Sequence, residues 1–269
     1  MLTYGLTLEK GGVGKTSLAV NLAAAMDAIG IGVLVIDLDA QGHATHSLSS
    51  ARPTDAAGTI IGVIEGRDPL QIIQPTAHAR IKIIPASGRL VALPQLLMGS
   101  ENGGLFVLRD TVRQLEAVLP DTQVVLLDLA PARGPVLQSA LVAVNRCLAP
   151  IQAEEYVVES VKALSQSVAS ARRINPELQP TCLIRNRYRT TSDNERGYDE
   201  FLADPQTLAA LDCVLLQTVI PDRAAVRQAA SNRQSVFQLP RDGSKIRDIF
   251  LRVAEELLVM DGLLDPATP

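Results

Sequence analysis

The sequence of 269 residues has little of several residue types that would have suggested a function. It contains no tryptophan and only 3% aromatic residues, which disfavours binding of nucleic-acid bases by stacking. Its three cysteines, Cys147, Cys182 and Cys213, are widely spaced, so they fit buried, reduced thiols and exclude a paired-cysteine cluster site. No apolar run approaches the ~20 residues of a membrane span. The first apolar strand begins at Leu2, and we therefore expect no signal peptide.

Charge is close to balanced but unevenly distributed. The net charge of −4 argues against a protein that coats nucleic acid over its whole surface. Residues 1–171 carry 12 Lys and Arg against 15 Asp and Glu, whereas residues 172–252 carry 13 against 10. A local basic face on an acidic protein is therefore compatible with the sequence.

Apolar runs alternate with amphipathic stretches along the chain. The predicted strands are Leu2–Leu8, Gly32–Leu38, Arg80–Pro85, Gln123–Leu129, Arg146–Ile151, Pro180–Asn186 and Val214–Ile220. The predicted helices include Ser17–Ile29, Leu105–Leu119, Glu154–Ile174 and Arg247–Met260. This alternation predicts the α/β class, with one domain built on a mostly parallel, twisted sheet that carries helices on both faces. We expect the domain to span residues 1–264 and residues 265–269 to form a short tail.

A glycine-rich segment joins the first predicted strand to the first predicted helix. It reads Lys10-Gly11-Gly12-Val13-Gly14-Lys15-Thr16-Ser17. Glycines let backbone N–H groups approach a phosphate without interference from Cβ atoms, and the helix N-terminus favours the anion. Lys15 supplies a charge for the phosphates, and the Thr16 hydroxyl suits Mg²⁺. The general phosphate-loop pattern needs a glycine at position 9 or 10, which is absent here, and Lys10 is an additional lysine.

The Lys10–Ser17 segment resembles the loop of the deviant Walker A ATPases, the ParA/MinD family of P-loop NTPases. The resemblance implies that residues 11–17 bind ATP and that Thr16 ligates Mg²⁺. It also implies a homodimer with ATP sandwiched between the subunits. In that dimer Lys10 would act catalytically across the interface, together with Lys15 of the same loop, because a cation supplied by the partner stabilises the transferring phosphoryl group.

Two further segments extend the resemblance to the catalytic carboxylates. Asp37 and Asp39 follow the second predicted strand, and Asp128 ends the apolar run Val124–Leu127. Such carboxylates lie in the crevice where parallel sheets bind ligands. By resemblance, Asp39 serves the attacking water, Asp37 supports Mg²⁺ through water, and Asp128 holds the hydrated metal. The alternative for the first pair is a solvated turn or a helix cap.

Other matches and departures concern the base pocket and the loop. By resemblance, Asn186 reads the adenine edge and Pro221 and Asp222 line the base pocket, although Asp222 departs from the arginine that the family commonly has there. Glu9 is also unusual beside Lys10. Its carboxylate could form a surface ion pair with Lys10, or it could repel the phosphates slightly. We predict that Glu9→Gln raises the rate of ATP hydrolysis.

The resemblance covers nearly the whole chain and predicts a Mg-ATP-dependent, slow ATPase that partitions or positions DNA or another cargo. In the ATP state it would bind DNA without sequence preference, and a ParB-like or other adaptor protein would stimulate hydrolysis and release it. We expect a cytoplasmic, nucleoid-associated protein that does not bind membranes. The candidate DNA contacts are basic residues of the C-terminal half: Arg185, Arg187, Arg189, Arg223, Arg227, Arg233, Arg241, Lys245 and Arg247.

Two alternatives use the same nucleotide site. A MinD-like membrane-positioning ATPase would need a terminal amphipathic helix with a basic polar face. The last predicted helix is amphipathic, but its end carries Glu255, Glu256 and Asp261, so its apolar stripe is expected to pack in the core. A metabolic or cofactor-handling ATPase on the same scaffold would need a substrate pocket that the sequence does not reveal.

Overall fold

A computed structural model describes residues 1–49, 51–152, 154, 156–189, 193–240 and 244–266. For residues 193–195 the structure describes the backbone but not the side chains. Arg241, one of the candidate DNA contacts, and residues 267–269 of the predicted tail lie outside the described residues.

The core of the molecule is one sheet whose strands run mostly parallel. The strands are β1 (Leu2–Leu6), β2 (Val33–Asp37), β3 (Gln74–Pro75), β4 (Ile81–Ile84), β5 (Val124–Asp128), β6 (Arg146–Ile151), β7 (Thr181–Arg185) and β8 (Cys213–Leu215). Their spatial order is β3-β4-β2-β5-β1-β6-β7-β8. All neighbouring pairs are parallel except β3 with β4. The prediction of a mostly parallel sheet is confirmed.

Helices cover both faces of this sheet. They are α1 (Lys15–Ala28), α2 (His43–Leu48), α3 (Ile60–Ile64), α4 (Leu93–Gly99), α5 (Val107–Val118), α6 (Pro135–Ala143), α7 (Val157–Arg172), α8 (Asp193–Ala203), α9 (Pro205–Ala210), α10 (Ala224–Ser231) and α11 (Ser244–Met260). Helices α1 and α11 pack on each other within one apolar cluster, whereas α5, α6 and α7 belong to the cluster on the opposite face. Strands with both faces covered need apolar side chains throughout, which explains their unbroken apolar sequences.

The apolar stripe of α11 belongs to the core, as expected. Ile246, Phe250, Val253 and Leu257 are all buried in the cluster that also contains α1. In the part of the chain that the structure describes, no helix combines the length and the hydropathy needed to cross a membrane.

The predicted strand Val214–Ile220 is wrong in its C-terminal half. Regular pairing with β7 ends at Leu215, and the backbone N–H groups of Gln217 and Thr218 donate instead to the Glu256 carboxylate of α11. A side chain from outside the sheet has therefore replaced the ladder partner of this segment. The chain returns to β7 only at Ile220, whose N–H donates to the carbonyl of Arg185 at 2.9 Å.

The region between β2 and α5 contains elements that the sequence pattern did not predict. Strand β3 has two residues and includes Pro75, which is tolerated because β3 lies at the sheet edge. Helices α2, α3 and α4 have five to seven residues each. Segments this short do not show the periodic spacing of apolar residues by which a helix is recognised in a sequence. This region contributes to the candidate site because β2 ends at Asp37 and Asp39 follows two residues later.

The three cysteines are buried, as predicted for reduced structural thiols. Burial raises the pKa of the Cys147 and Cys213 thiols to about 12. Neutral thiols of this kind are poor nucleophiles, so we assign them a packing role.

Candidate functional site

The glycine-rich segment forms the turn between β1 and α1, as its sequence predicts. Helix α1 begins at Lys15, and Gly12 and Gly14 have φ angles of 80° and 89°. Both glycines therefore adopt a left-handed conformation that other residues avoid. At Gly14 there is a second constraint, since a Cβ atom there would lie 2.5 Å from the Asn186 side-chain nitrogen.

Lys15 folds back over its own loop. Its ammonium donates to the carbonyl of Leu8 at 2.9 Å and to the carbonyl of Lys10 at 3.0 Å, and the residue is 6% exposed. Burial lowers the pKa of Lys15, while the charges of Asp128 and Asp39 act in the opposite direction. The ammonium is thus held at the loop by neutral acceptors that a phosphate oxygen can replace.

The end of β7 contacts the same loop from outside. Asn186, buried beside the loop, donates through Nδ2 to the carbonyl of Val13 at 2.7 Å. Arg187 donates through Nη1 to the carbonyl of Gly12 at 3.0 Å. The contact of Asn186 with an adenine edge stays a prediction, and its closest neighbour in the structure is the phosphate loop.

Asp37 and Asp128 lie side by side at the carboxyl ends of β2 and β5. Their Cα positions are paired in the parallel ladder, and both residues are buried. Asp37 accepts hydrogen bonds from the Thr45 N–H at 2.8 Å, the Thr45 hydroxyl at 2.7 Å and the Asp39 N–H at 3.1 Å. Among the described residues, neither carboxylate oxygen of Asp128 has a hydrogen-bond partner.

Burial has a strong effect on both carboxyl groups. It raises the pKa of Asp37 to about 6, against the opposing effect of the hydrogen bonds from Thr45 and Asp39. Burial and then the Asp37 charge raise the pKa of Asp128 well above its ordinary range, while Thr16 and Lys15 act to lower it. Two carboxyl groups that cannot both ionise easily require a cation when both are charged.

The residues present fit a magnesium ion bound together with phosphate. The described residues contain no group of three or more His, Cys, Asp or Glu side chains that could enclose a metal ion. Mg²⁺ commonly takes one or two protein oxygens and completes its shell with water and phosphate oxygens. Two unpaired, buried oxygens on Asp128, with Thr16 and Asp37 nearby, match this requirement.

Asp39 lies at the wall of the main cavity, two residues beyond Asp37. It is half-buried, and its Oδ1 accepts a hydrogen bond from the Gln41 N–H at 2.9 Å. This bond caps a turn, in line with the alternative interpretation, but the carboxylate also faces the cavity. Its role toward a water molecule remains a prediction.

The cavity beside the loop has a volume of about 750 Å³, enough for a nucleotide. The predicted residues Gly12, Gly14, Lys15, Thr16, Ser17 and Asp39 line it. Sequence reasoning missed His43 and His46 of α2, and it predicted Arg233, which follows α10, only as a candidate DNA contact. The two histidines are three positions apart and come directly after the Asp37–Gly42 segment, and that spacing is the signal that could have identified them.

The two charged residues that precede the glycines have different partners from those expected. Lys10 forms an ion pair with Glu154, and Glu9 forms one with Arg133. An ion pair of Glu9 with Lys10 is not formed, because Arg133 and Glu154 from the loops after β5 and β6 reach this turn. Gly11 and Gly12 are exposed beside these pairs.

Pro221 and Asp222 lie outside the main cavity. Within the described part of the chain, neither belongs to its lining. Pro221 forms a parallel bridge with Tyr188, and the Asp222 carboxylate binds both Arg189 and Arg227. Asp222 therefore holds two arginines together in this structure, and its contact with a base stays a prediction.

Most of the candidate DNA contacts have intramolecular partners. Arg185 pairs with Asp199 through Nε at 2.6 Å, and Arg247 donates to the carbonyls of Val236 and Leu239. Arg187 binds the loop, and Arg189 and Arg227 bind Asp222. Contact of these arginines with DNA stays a prediction.

An exposed basic group remains at one groove. Arg223 and Lys245 line a groove of about 740 Å³ between α10 and α11, together with Arg252, which the sequence analysis did not single out. All three side chains are exposed, and among the described residues Asp248 is the acidic residue of the groove lining.

Comparison with known proteins relates the chain to one group of ATPases. A family model described as an AAA domain (AAA_31) matches residues 3–180. The chromosome-partitioning ATPase Soj of Thermus thermophilus is 30% identical over 255 residues, which cover 94% of each chain. The chromosome partitioning protein ParA of Myxococcus xanthus is 31% identical over 173 residues, or 64% of this chain and 59% of that protein.

Solved structures agree in fold. The ATP complex of an McdA variant from Cyanothece superposes with a TM-score of 0.80 at 20% identity and covers 100% of this chain and 99% of that one. Cobyrinic acid a,c-diamide synthase from Mycobacterium smegmatis, with an ATP analogue and magnesium, gives a TM-score of 0.78 at 21% identity and covers 97% and 96%. At these identities the likeness concerns the fold alone.

Proposed function

Because this chain belongs to the ParA-type family of partition ATPases, we propose that it is a dimerising ATPase that positions DNA or another cargo. ATP and Mg²⁺ are its cofactors. The observation that carries the proposal is the meeting of three features at one cavity: a left-handed glycine loop, a buried Lys15 and an unpaired, buried Asp128. Burial of the charged groups of Lys15 and Asp128 is costly unless they are paired, and the three features together suit a nucleotide phosphate chain with a metal ion.

In this proposal the loop residues Gly11–Ser17 bind the phosphates. Lys15 exchanges its contacts with the carbonyls of Leu8 and Lys10 for phosphate oxygens, and Thr16 and Asp128 hold Mg²⁺, with Asp37 supporting it through water. The bound cation would compensate the charge of the two adjacent carboxylates. Magnesium supplies the charge that stabilises the transferring phosphoryl group.

We assign hydrolysis to Asp39 and Lys10. Asp39 lines the cavity, and in this proposal its carboxylate orients the attacking water molecule. Lys10 is partly exposed at the surface, where it can leave Glu154 and reach a nucleotide bound to a second subunit.

For DNA we propose the groove between α10 and α11. Arg223, Lys245 and Arg252 are exposed there, and phosphate contacts by such side chains require no reading of bases. The scarcity of aromatic residues also favours contacts with the DNA backbone. Stimulation of hydrolysis by a ParB-like or other adaptor protein completes the cycle by releasing DNA.

The alternatives receive less support. The apolar stripe that a membrane-binding helix would need is buried in α11. The synthase with the same fold is 21% identical, whereas the relative at 30% identity over 94% of both chains is a partitioning ATPase.

The test is binding to random-sequence duplex DNA with ATP, with ADP and without nucleotide, across a series of salt concentrations. The Asp39→Ala protein is used so that ATP is not turned over. We expect binding in ATP only, independent of sequence and steeply weaker with salt. Arg223→Ala and Arg252→Ala should each weaken binding and reduce the salt dependence, whereas Arg173→Ala, an exposed arginine at the end of α7, should not.

Three outcomes separate the parts of this proposal. Failure of the wild-type protein to bind Mg-ATP, or normal ATP affinity in Lys15→Ala, would refute the nucleotide site. ATP binding and dimer formation without DNA binding in any state would refute the nucleoid role and favour a membrane or metabolic cargo. An Asp39→Ala protein that stays monomeric in ATP would contradict the proposed dimer.

A further inference from the structure

Two arginines on the wall of the nucleotide cavity have an unusual backbone. Among the described residues, those other than glycine with positive φ are Asn102, Arg187, Asp212 and Arg233. Arg187 and Arg233 have φ angles of 52° and 57°, and both line the same cavity. A long side chain in the left-handed region is strained, and such strain commonly accompanies a functional constraint.

The glycine loop needs support from outside. A Cβ atom built on Gly11 or on Gly12 would have no described atom within 4 Å apart from its chain neighbours, so these residues are open on that side. Glycines also have the greatest conformational freedom. Without further contacts the loop would lose entropy when it closes on a phosphate.

Arg187 and its neighbour Asn186 supply these contacts through the loop carbonyls. Arg187 binds the oxygen of Gly12 at 3.0 Å, and Asn186 binds the oxygen of Val13 at 2.7 Å. In a trans peptide the C=O and the N–H point in opposite directions. Holding these two oxygens toward the end of β7 therefore directs the N–H groups of Val13 and Gly14 away from it, side by side. Successive N–H groups in this arrangement bind phosphate oxygens.

We propose that Arg187, with Asn186, is a positioning residue that fixes the phosphate loop in its binding conformation before the nucleotide arrives. In this proposal Arg187 acts through the loop. This inference rests on the proposed function, since it concerns the same nucleotide site. Because the effect is on the phosphates, it should be the same for inorganic pyrophosphate as for ATP.

The test compares Arg187→Gly with Arg233→Gly. Both variants remove a guanidinium from the cavity wall and place a glycine where φ is positive, so neither should lower the unfolding temperature. Only Arg187→Gly removes a contact with the loop. Binding of Mg-pyrophosphate and Mg-ATP is measured by calorimetry, and the order parameters of the Gly12, Val13 and Gly14 amides are measured by ¹⁵N relaxation without nucleotide.

We expect Arg187→Gly to lower the order parameters of the loop amides. We also expect it to weaken the binding of pyrophosphate and of ATP by a similar factor, about tenfold. Arg187→Lys, which keeps a donor, and guanidinium added to Arg187→Gly should each restore part of the affinity. Arg233→Gly should leave the loop order parameters at the wild-type values.

Three results would decide against the inference. If both glycine variants bind pyrophosphate equally weakly and the order parameters are unchanged, the arginines act by charge alone. Wild-type affinity in Arg187→Gly would mean that the loop needs no such support. A loss of ATP binding with normal pyrophosphate binding would assign Arg187 to the base. Wild-type protein that binds neither ligand would instead refute the nucleotide site itself.

Discussion

Asp37 and Asp128 occupy paired positions on adjacent parallel strands, and both carboxyl groups are buried. Burial raises the pKa of both groups, that of Asp37 to about 6. The ordinary carboxyl pKa in an unfolded chain is about 3.9. The nucleotide-free folded protein therefore binds protons at this pair more tightly than the unfolded chain does.

From this relationship we predict a specific pH dependence. The contribution of the pair to the free energy of unfolding is fully present below pH ~4 and is lost as the pH rises through about 6 and above. Asp128→Asn removes one buried charge, so above pH ~6 the nucleotide-free variant should be more stable than the wild type. Below pH ~4 this advantage should vanish. Thermal unfolding across this range measures it, with exposed Asp110→Asn as control; parallel curves for wild type and Asp128→Asn would disprove the prediction.

The link between Glu9 and Arg133 predicts an effect on turnover. Arg133 follows β5 and lines a small cavity with Asp39. Its ion pair with Glu9 therefore connects the phosphate loop to the wall of that cavity. Glu9→Gln removes this ion pair and also removes a carboxylate from the phosphate loop. Since an exposed pair contributes about 0.2–1 kcal/mol, we expect basal ATP hydrolysis to rise no more than about fivefold.

The same pair provides its own control. Arg133→Ala removes the same ion pair and should also raise the rate of ATP hydrolysis. The double variant should be little faster than either single variant. An unchanged rate of ATP hydrolysis in Glu9→Gln would show that this acid does not modulate turnover.

The ion pair of Lys10 with Glu154 predicts an effect on dimerisation. While Lys10 is bound to Glu154 it is not available to a partner subunit. In the Asp39→Ala background, Glu154→Gln should therefore tighten the ATP-dependent dimer by about two- to fivefold, the range expected for an exposed pair. Sedimentation with Mg-ATP measures this constant.

Two variants test whether this effect depends on Lys10. Exposed Glu159→Gln, in the first turn of α7, should leave the dimerisation constant unchanged. With Lys10→Ala present, Glu154→Gln should have no further effect. A weaker dimer in Glu154→Gln would mean that this carboxylate contacts the partner subunit or its nucleotide.

The end of α11 is attached to the sheet by a buried ion pair. Arg146 on β6 donates through Nε and Nη2 to Asp261, the pair is almost fully buried, and Nη1 donates to the carbonyl of Pro180. Asp261→Ala leaves a buried guanidinium without its counter-ion, so we expect a loss of about 3–5 kcal/mol in the free energy of unfolding. Urea unfolding measures it.

A matched change at an exposed pair serves as the reference for this prediction. Asp110→Ala breaks the pair of Asp110 with its neighbour Arg109 and should cost at most about 1 kcal/mol. Equal losses in both variants would show that the Arg146 pair adds nothing to the attachment of α11.

The sequence predicted the parts of the site that depend on local chemistry. The loop Lys10–Ser17 requires glycines with positive φ at fixed positions, and its conformation follows from that requirement. Asp37 and Asp128 end apolar strands, and parallel strands bring such ends to one edge, so their proximity could also be expected.

What the sequence did not predict depends on contacts between distant segments. The strand after Cys213 ends early because Glu256, far along the chain, takes the hydrogen bonds of Gln217 and Thr218. The arginines of the C-terminal half look alike in sequence, but Asp199, Asp222 and the loop carbonyls engage some of them and leave Arg223 exposed.

The sequence by itself therefore determined the fold class, the phosphate loop and the carboxylates, because these follow from hydrophobic period and from backbone conformations that only certain residues adopt. The tertiary structure decided which charges are paired. Glu9 adjoins Lys10 in sequence, yet Arg133 and Glu154 are their partners. An ion pair depends on the distance between side chains in space, and chain neighbours at a turn commonly point apart.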